Sequence, residues 1–273
     1  MNINFNGKIF PSDKAIFDSQ NRSFLYGDAL FETIRMSEGK MPFLGNHINR
    51  LLKGLYFFKY KVPKKYTTTF FQKEIIKIAS KNTRIRITVF RSKGGLYTPK
   101  NNRPQFLIST SPLNSPNFSL NKKGLKIGLF NQLKLPCNPA SNLKTCNSLL
   151  YTLAGLNRQE QNLDEVILLN ENDRISETSS SNIFLIKKNI ITTPSLSEGC
   201  VAGTMRKTIL EIASEKKYII QETSTKISQL QKFEEIWLSN AISGIKWVVK
   251  INQNISLSPP IHAQSFIDSL NIF

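Results

Sequence analysis

Long apolar runs are missing from this 273-residue chain, and nothing approaches the roughly 20 residues that a membrane-crossing helix needs. Cysteine is scarce as well. Cys137, Cys146 and Cys200 are odd in number and lack paired ligand spacing, so they read as reduced thiols, not as a disulfide framework or zinc site. Two histidines, His47 and His262, are too few and too scattered for a histidine-based metal centre, and no metal is expected. The opening "MNINFNGKIFPSDKAIF" has no basic-then-apolar leader pattern, which makes a cytoplasmic protein the expectation. Acidic residues are also few, 19 against 37 basic, for a net charge of +18. Such a surplus raises nucleic acid as a partner. The lysines, however, stand in ones and twos (Lys73, Lys77, Lys81, Lys122, Lys123, Lys187, Lys188, Lys216, Lys217), with no block or stripe and no DNA or RNA recognition motif. Neither nucleic acid nor membrane is therefore expected as a partner, and solvated faces account for most of the charge.

What is present is 40% apolar sequence, enough to bury a sizeable core. Strand and helix signals alternate. "INFNGKIF" (3–10) reads as a hairpin about Asn6-Gly7, and "LFETIRM" (30–36) as a strand ending at Glu38-Gly39. Ile48, Leu51, Leu52 and Leu55 have helical spacing within 46–58, and 67–80 gives a second helix. Strands follow at 84–90 and 105–110. The Pro-, Ser- and Asn-rich 111–124 contains the linker, placed at 113–122. Beyond it come a strand at 125–130, a helix starting near Lys144, and a strand at 165–170. A hairpin at 183–194, a helix at 203–217, a strand at 234–240 and a short closing helix complete the chain. The fold class expected is two-domain α+β, with residues 1–112 and 123–273 as the domains.

Three local features invite chemistry. Lys144, in "SNLKTCNSLLYTLAGL", stands before an amphipathic run (Leu149, Leu150, Leu153, Leu156) and after an irregular approach. A lysine near a positive helix end has its amine form favoured, as Schiff-base chemistry requires; equally, it is an ordinary solvated lysine. Glu177 precedes Thr178, Ser179, Ser180, Ser181 and Asn182, a row that is either a ligand-facing turn or a plain polar one. Gly203 and Thr204 open a helix whose bare amides make a phosphate seat, or simply a capped helix. One ligand would use all three: an aldehyde for the lysine, a ring nitrogen for the acid, and a phosphate for the helix, the combination found in pyridoxal 5′-phosphate.

Six segments, in order, carry a resemblance: "FLYGDALFETIR" (24–35), "NHINRL" (46–51), "LKTCN" (143–147), "SETSSSNIF" (176–184), "GTMR" (203–206) and "WLSNAISGI" (237–245). Together they resemble the fold-type IV pyridoxal-phosphate enzymes of the class IV aminotransferase superfamily. These include branched-chain and D-amino acid aminotransferases and 4-amino-4-deoxychorismate lyase. The resemblance spans nearly the whole chain and implies that fold, a pyridoxal 5′-phosphate cofactor, a small-molecule amino substrate and a homodimer. It implies that Lys144, carried by the C-terminal domain, binds the cofactor covalently and shuttles protons. Glu177 would pair with the pyridine nitrogen, and Arg50 would clamp the phosphate with two bonds. Gly203 and Thr204 would complete the phosphate cup, Ser181 and Asn182 would line the ring side, and Asn240 would approach the phosphate.

Fold does not settle reaction within this family. "FET" (31–33), Met205 in "GTMR", and "FRSKGGLYTP" (90–99) lean toward the lyase, with Thr33 helping proton transfer. Leu96 stands near the place where the resembling lyase loop has an arginine for a substrate carboxylate. Arg35, Arg91, Lys93 and Tyr97 are the remaining substrate-binding candidates. The expectation is 4-amino-4-deoxychorismate lyase, with an aminotransferase for branched-chain or D-amino acids using 2-oxoglutarate as the alternative. A basic nucleic-acid-binding protein that kept an enzyme's shell is a third reading.

Overall fold

The computed structural model describes residues 2–14, 16–252 and 255–272. Two compact units emerge, Met1–Pro116 with Leu143–Asn147, and Asn117–Asn142 with Ser148–Phe273.

In the first unit, β1 (Asn2–Phe5) and β2 (Lys8–Pro11) form the expected hairpin. Asn6 and Gly7 both take positive φ, 53° and 90°, the backbone a two-residue hairpin demands. A short helix α1 (Arg22–Tyr26) precedes β3 (Ala29–Met36), followed by α2 (Leu44–Phe57), α3 (Thr68–Ile76), β4 (Thr83–Arg91) and β5 (Pro104–Pro112). The strands make one antiparallel sheet in the order β2-β1-β5-β4-β3. Period-two alternation sends Leu30, Ile34 and Met36 of β3, and Ile85, Ile87 and Val89 of β4, into a core shared with Ile48, Leu51 and Leu55 of α2 and Phe71 and Ile75 of α3. Phe31, Thr33 and Arg35 fall on the opposite face. The sequence reading did not anticipate α1, since a helix this short shows no periodicity. Its signal is local: Asn21 Oδ1 accepts from the amides of Ser23 (2.9 Å) and Phe24 (3.3 Å), and Gly27 ends the turn at φ 62°.

The helix expected near Lys144 starts later. Residues 143–147 run extended beside β3: the Phe31 amide donates to the Lys144 carbonyl and the Cys146 amide to the Ala29 carbonyl, both at 2.9 Å, with Leu30 opposite Thr145. A sheet-edge strand has backbone groups to satisfy, and this segment satisfies them. Lys144 thus packs with the first unit, where the sequence reading gave it to the C-terminal domain, and the helix-end argument for its amine does not hold.

The second unit contains β6 (Leu125–Leu135), α4 (Leu149–Glu160), β7 (Glu165–Asn170), β8 (Ile175–Thr178), β9 (Asn182–Lys187) and β10 (Ile190–Pro194). It continues with α5 (Thr204–Glu215), β11 (Ile219–Thr223), β12 (Glu235–Asn240), β13 (Gly244–Ile251), β14 (Ile255–Ser256) and α6 (Ala263–Leu270). The strands form one mixed sheet in the order β11-β10-β9-β12-β13-β6-β7-β8, with β14 on β13. The pairs β10–β11, β6–β13 and β6–β7 are parallel. Residues of β7 and β8 are buried throughout, which is why "EVILLN" reads as a continuous apolar run without alternation. Ile167, Ile175, Ile183, Leu185, Ile236 and Leu238 fill one core; Phe130, Val166, Leu168 and Ala154 fill another under α4. Trp237 packs edge-on against Phe266 of α6 at 5.0 Å. Strands β11 and β13 were not anticipated. On α4, Leu149, Leu153 and Leu156 lie at the surface (80%, 40% and 51% exposed), while Ala154 is buried.

Among the described residues no helix is long and apolar enough to cross a membrane. No group of three or more His, Cys, Asp or Glu among them could hold a metal ion.

Candidate active site

In the first unit, β3 presents different chemistry on its two faces. Toward α2 lies Glu32, buried, with His47 Nδ1 2.7 Å from one carboxylate oxygen and Arg50 Nε donating to the other at 2.8 Å. Arg50 Nη2 completes a two-point clasp on the carboxylate. Burial alone would raise the Glu32 carboxyl, yet the Arg50 guanidinium, its hydrogen bonds and His47 bring it down to about 2. Burial holds His47 below its ordinary range against the upward pull of Glu32, and the charges of Arg50 and Lys144 push the same way as burial. Glu32 takes the Nε–Nη2 edge of Arg50.

On the opposite face, the Lys144 ammonium lies 4.6 Å from the Phe31 ring centroid and the Arg86 guanidinium 3.8 Å from it. Thr33 stands opposite Arg86 in the ladder, and Arg35 opposite Arg84. Burial lowers Arg86, with the Cys146 thiol pulling it back up, and burial lowers Arg35, whose Nη2 donates to the Ser115 carbonyl. Amine, hydroxyl and guanidinium groups therefore share this side of the sheet. The sequence reading missed Arg86. Its signal was the alternation in "TRIRITVFR": with Ile85, Ile87 and Val89 inward, Arg84 and Arg86 must point outward together.

The other basic candidates have different work. Arg91 is buried, ion-paired with Asp28, donating to the Phe58 carbonyl and, through Nε, to Asn102 Oδ1 at 2.9 Å, with its guanidinium 4.0 Å over the Tyr60 ring. Lys93 pairs with Asp18 at 2.9 Å on the surface. Tyr97 is 89% exposed, its ring tilted against that of Tyr26 at 5.7 Å. The loop holding Tyr97 and Leu96 is pinned by Arg22, which donates to the carbonyls of Gly94 (3.3 Å), Gly95 (3.2 Å), Leu96 and Tyr97 (3.3 Å).

In the second unit, Glu177 sits buried on β8. Its Oε1 accepts from the Tyr151 hydroxyl at 2.7 Å, and its Oε2 from Asn182 Nδ2 at 3.2 Å and the Val201 amide at 3.1 Å. Asn182 also donates to the Val201 carbonyl at 2.9 Å. The hydroxyl row after Glu177 is largely occupied, by β7 and by its own turn. Ser179 and Ser180 each donate to one oxygen of buried Glu165, and Thr178 Oγ1 donates to the Ser181 carbonyl at 3.0 Å. Ser181 Oγ accepts from Asn240 Nδ2 at 3.1 Å, while Asn240 Oδ1 takes the amides of Ile242 (3.0 Å) and Ser243 (2.8 Å). Helix α5 opens on Gly203, which has no side chain to cap it, and Thr204 is buried at its start. A Cβ on Gly203 would come 2.0 Å from Asn182 Oδ1. Ser239, opposite Asn182 in the ladder, has a buried Oγ with no hydrogen-bond partner.

The unit thus offers a fixed carboxylate and an open helix start within one strand-and-loop cluster: Glu177 and Gly203 both touch Asn182. The first unit offers an amine over an aromatic ring and a separate guanidinium clasped by Glu32.

The family described as Amino-transferase class IV matches residues 29–251. The chain is 26% identical over 257 residues to the branched-chain-amino-acid aminotransferase-like protein 2 of Arabidopsis thaliana, covering 91% of this chain. It spans 45% of that relative's length, about half. It is 25% identical over 228 residues to the aminodeoxychorismate lyase of Vibrio harveyi, covering 82% of this chain and 83% of the relative. Among solved structures it superposes on a hypothetical aminotransferase from Mycobacterium tuberculosis, in its PLP-bound form, at a TM-score of 0.83 and 16% identity, covering 100% of this chain and 99% of the other.

Proposed function

The chain belongs to the class IV amino-transferase family, and from that premise we propose that it is a 4-amino-4-deoxychorismate lyase, releasing pyruvate and 4-aminobenzoate for folate synthesis. Pyridoxal 5′-phosphate is the cofactor of this family of enzymes. Three features of the second unit support its fit: the uncapped start of α5, the Gly203 backbone that a Cβ would close, and the buried Ser239 hydroxyl without a partner. When bound, the cofactor supplies an electron sink for the substrate bond that breaks.

The chain's own groups divide the remaining work. Glu177 keeps a proton on the ring nitrogen, and Asn182 and Ser181 line the ring side. The amides at Gly203 and Thr204 and the Thr204 hydroxyl cup the phosphate, Arg50 is its clamping guanidinium, and Asn240 fixes the turn after β12. Lys144 carries the cofactor and takes the proton from the substrate ring carbon. Arg35 and Arg86 meet the substrate's carboxylates, a task from which Arg91 is diverted by Asp28.

The observation that carries the lyase reading is Thr33. Its hydroxyl is on the same face of β3 as Phe31, the ring over which the Lys144 amine lies, and so can assist that amine in moving a proton. An aminotransferase for branched-chain or D-amino acids is the second reading, favoured by the similarity over 91% of the chain to the Arabidopsis aminotransferase-like protein. A homodimer is proposed with either.

The test is product analysis with cofactor-loaded protein. Aminodeoxychorismate should yield pyruvate and 4-aminobenzoate in equal amounts, and Lys144→Ala should lose nearly all turnover together with covalent cofactor retention. An L- or D-amino acid that converts the cofactor to its amine form and leaves a matching keto acid, with no pyruvate from aminodeoxychorismate, would replace the lyase with the aminotransferase.

A further inference from the structure

Tyr151 belongs to none of the motifs that carry the family resemblance, yet its hydroxyl is 2.7 Å from Glu177 Oε1. It stands in the first turn of α4, and its ring packs on the cluster of Phe130, Ala154, Val166 and Leu168. Leu168 is the residue directly opposite Glu177 between β7 and β8, so Leu168 and the carboxylate share the sheet face that α4 covers. Helix and strand together leave the phenol and the carboxylate little room to separate. Burial, and after it the Glu177 charge, push the Tyr151 hydroxyl far above its ordinary range, so it remains a donor. The carboxylate is fixed at both ends, by the phenol on Oε1 and by Asn182 and the Val201 amide on Oε2.

Resting on the assignment of Glu177 to the cofactor's ring nitrogen, we propose that Tyr151 is a positioning residue that aims Glu177 and holds down its basicity, so that the shared proton stays on the ring nitrogen. The chemistry is general: a hydrogen bond donated to a carboxylate favours its ionised form, and a less basic carboxylate leaves the proton with its partner. Removing the phenol hydroxyl lets the carboxylate swing and makes it a stronger base.

The experiment uses the full-length protein loaded with pyridoxal 5′-phosphate carrying ¹⁵N in the ring, and reads the ring-nitrogen chemical shift and the cofactor's dissociation constant. Tyr151→Phe keeps the ring that packs under α4, and its melting temperature is measured alongside. Wild type should show the protonated-ring signal. Tyr151→Phe should move that signal toward the neutral-ring position and weaken cofactor binding by about tenfold, the scale of one hydrogen bond to a charged group. Glu177→Gln should move the signal further, and adding Tyr151→Phe to it should change nothing more. A Tyr151→Phe signal at the wild-type position, or an equal shift in the Glu177→Gln background, overturns the positioning role while leaving Glu177 in place. A wild-type signal that Glu177→Gln does not move overturns the assignment of Glu177 itself, and the role of Tyr151 with it.

Discussion

Glu32 is a carboxylate held anionic in a place where burial alone would neutralise it. Arg50 clasps it on one edge and His47 bonds it on the other side, so removing the acid takes the paired carboxylate from a largely buried guanidinium. Its carboxyl, ordinarily at 4.5, titrates near 2 in the folded chain. A folded value below the unfolded one contributes stability that is complete above about pH 4.5 and disappears as pH falls through about 2. Glu32→Gln should therefore cost on the order of 3 kcal/mol at neutral pH. The gap between wild type and variant should close as pH falls between those limits, measured by chemical unfolding at a series of pH values. A pH-independent gap would show that the carboxylate's charge is not what holds Arg50. Residues of this kind are poorly legible in sequence. "FETIR" marks Glu32 only as one strand position in a row, and its partners lie 15 and 18 residues on, brought to it by packing of α2 against β3.

At the scale of elements, the closing helix shows how a buried acid can dock a segment. Glu235, near the start of β12, accepts from Trp237 Nε1 at 2.8 Å with one oxygen and from the amides of Ile261 (2.7 Å) and His262 (3.0 Å) with the other. Those amides lead into α6, which has no side-chain cap of its own. Glu235→Ala leaves three donors without this acceptor, of which the Trp237 indole is buried, a loss of roughly 2–4 kcal/mol. Limited proteolysis should cut first in the 257–262 approach to α6 in the variant and not in wild type; an unchanged cleavage pattern would mean that Phe266 and Trp237 dock the helix unaided. Elements with strong periodicity, such as α2 or β4, were readable from the chain. The helix near Lys144 was misplaced because its apolar spacing is real but begins at Leu149, and only the unpaired edge of β3 accounts for the extended 143–147. β13 was missed because "GIKWVVKI" mixes lysines into a run with no clean alternation, where both neighbours in the sheet are needed to define its faces.

For the whole molecule, +18 is an electrostatic load that ion pairs such as Arg22–Asp28, Arg50–Glu32 and Arg206–Glu222 offset only locally. Self-repulsion among like charges destabilises the compact state, and salt screens it over about 10 Å at 0.1 M. The melting temperature should therefore rise as sodium chloride is raised from about 20 mM to about 300 mM; a fall over that range would show that surface ion pairs outweigh the repulsion. The sequence by itself determined the two-part α+β organisation and the family, because periodicity and short motifs are written locally along the chain. Only the tertiary structure decided which basic groups are engaged elsewhere, as Arg91 is by Asp28, which share a face, as Arg86 does with Thr33, and which residue fixes Glu177, as Tyr151 does from another element. Those are consequences of register and packing between distant segments, and no local pattern encodes them.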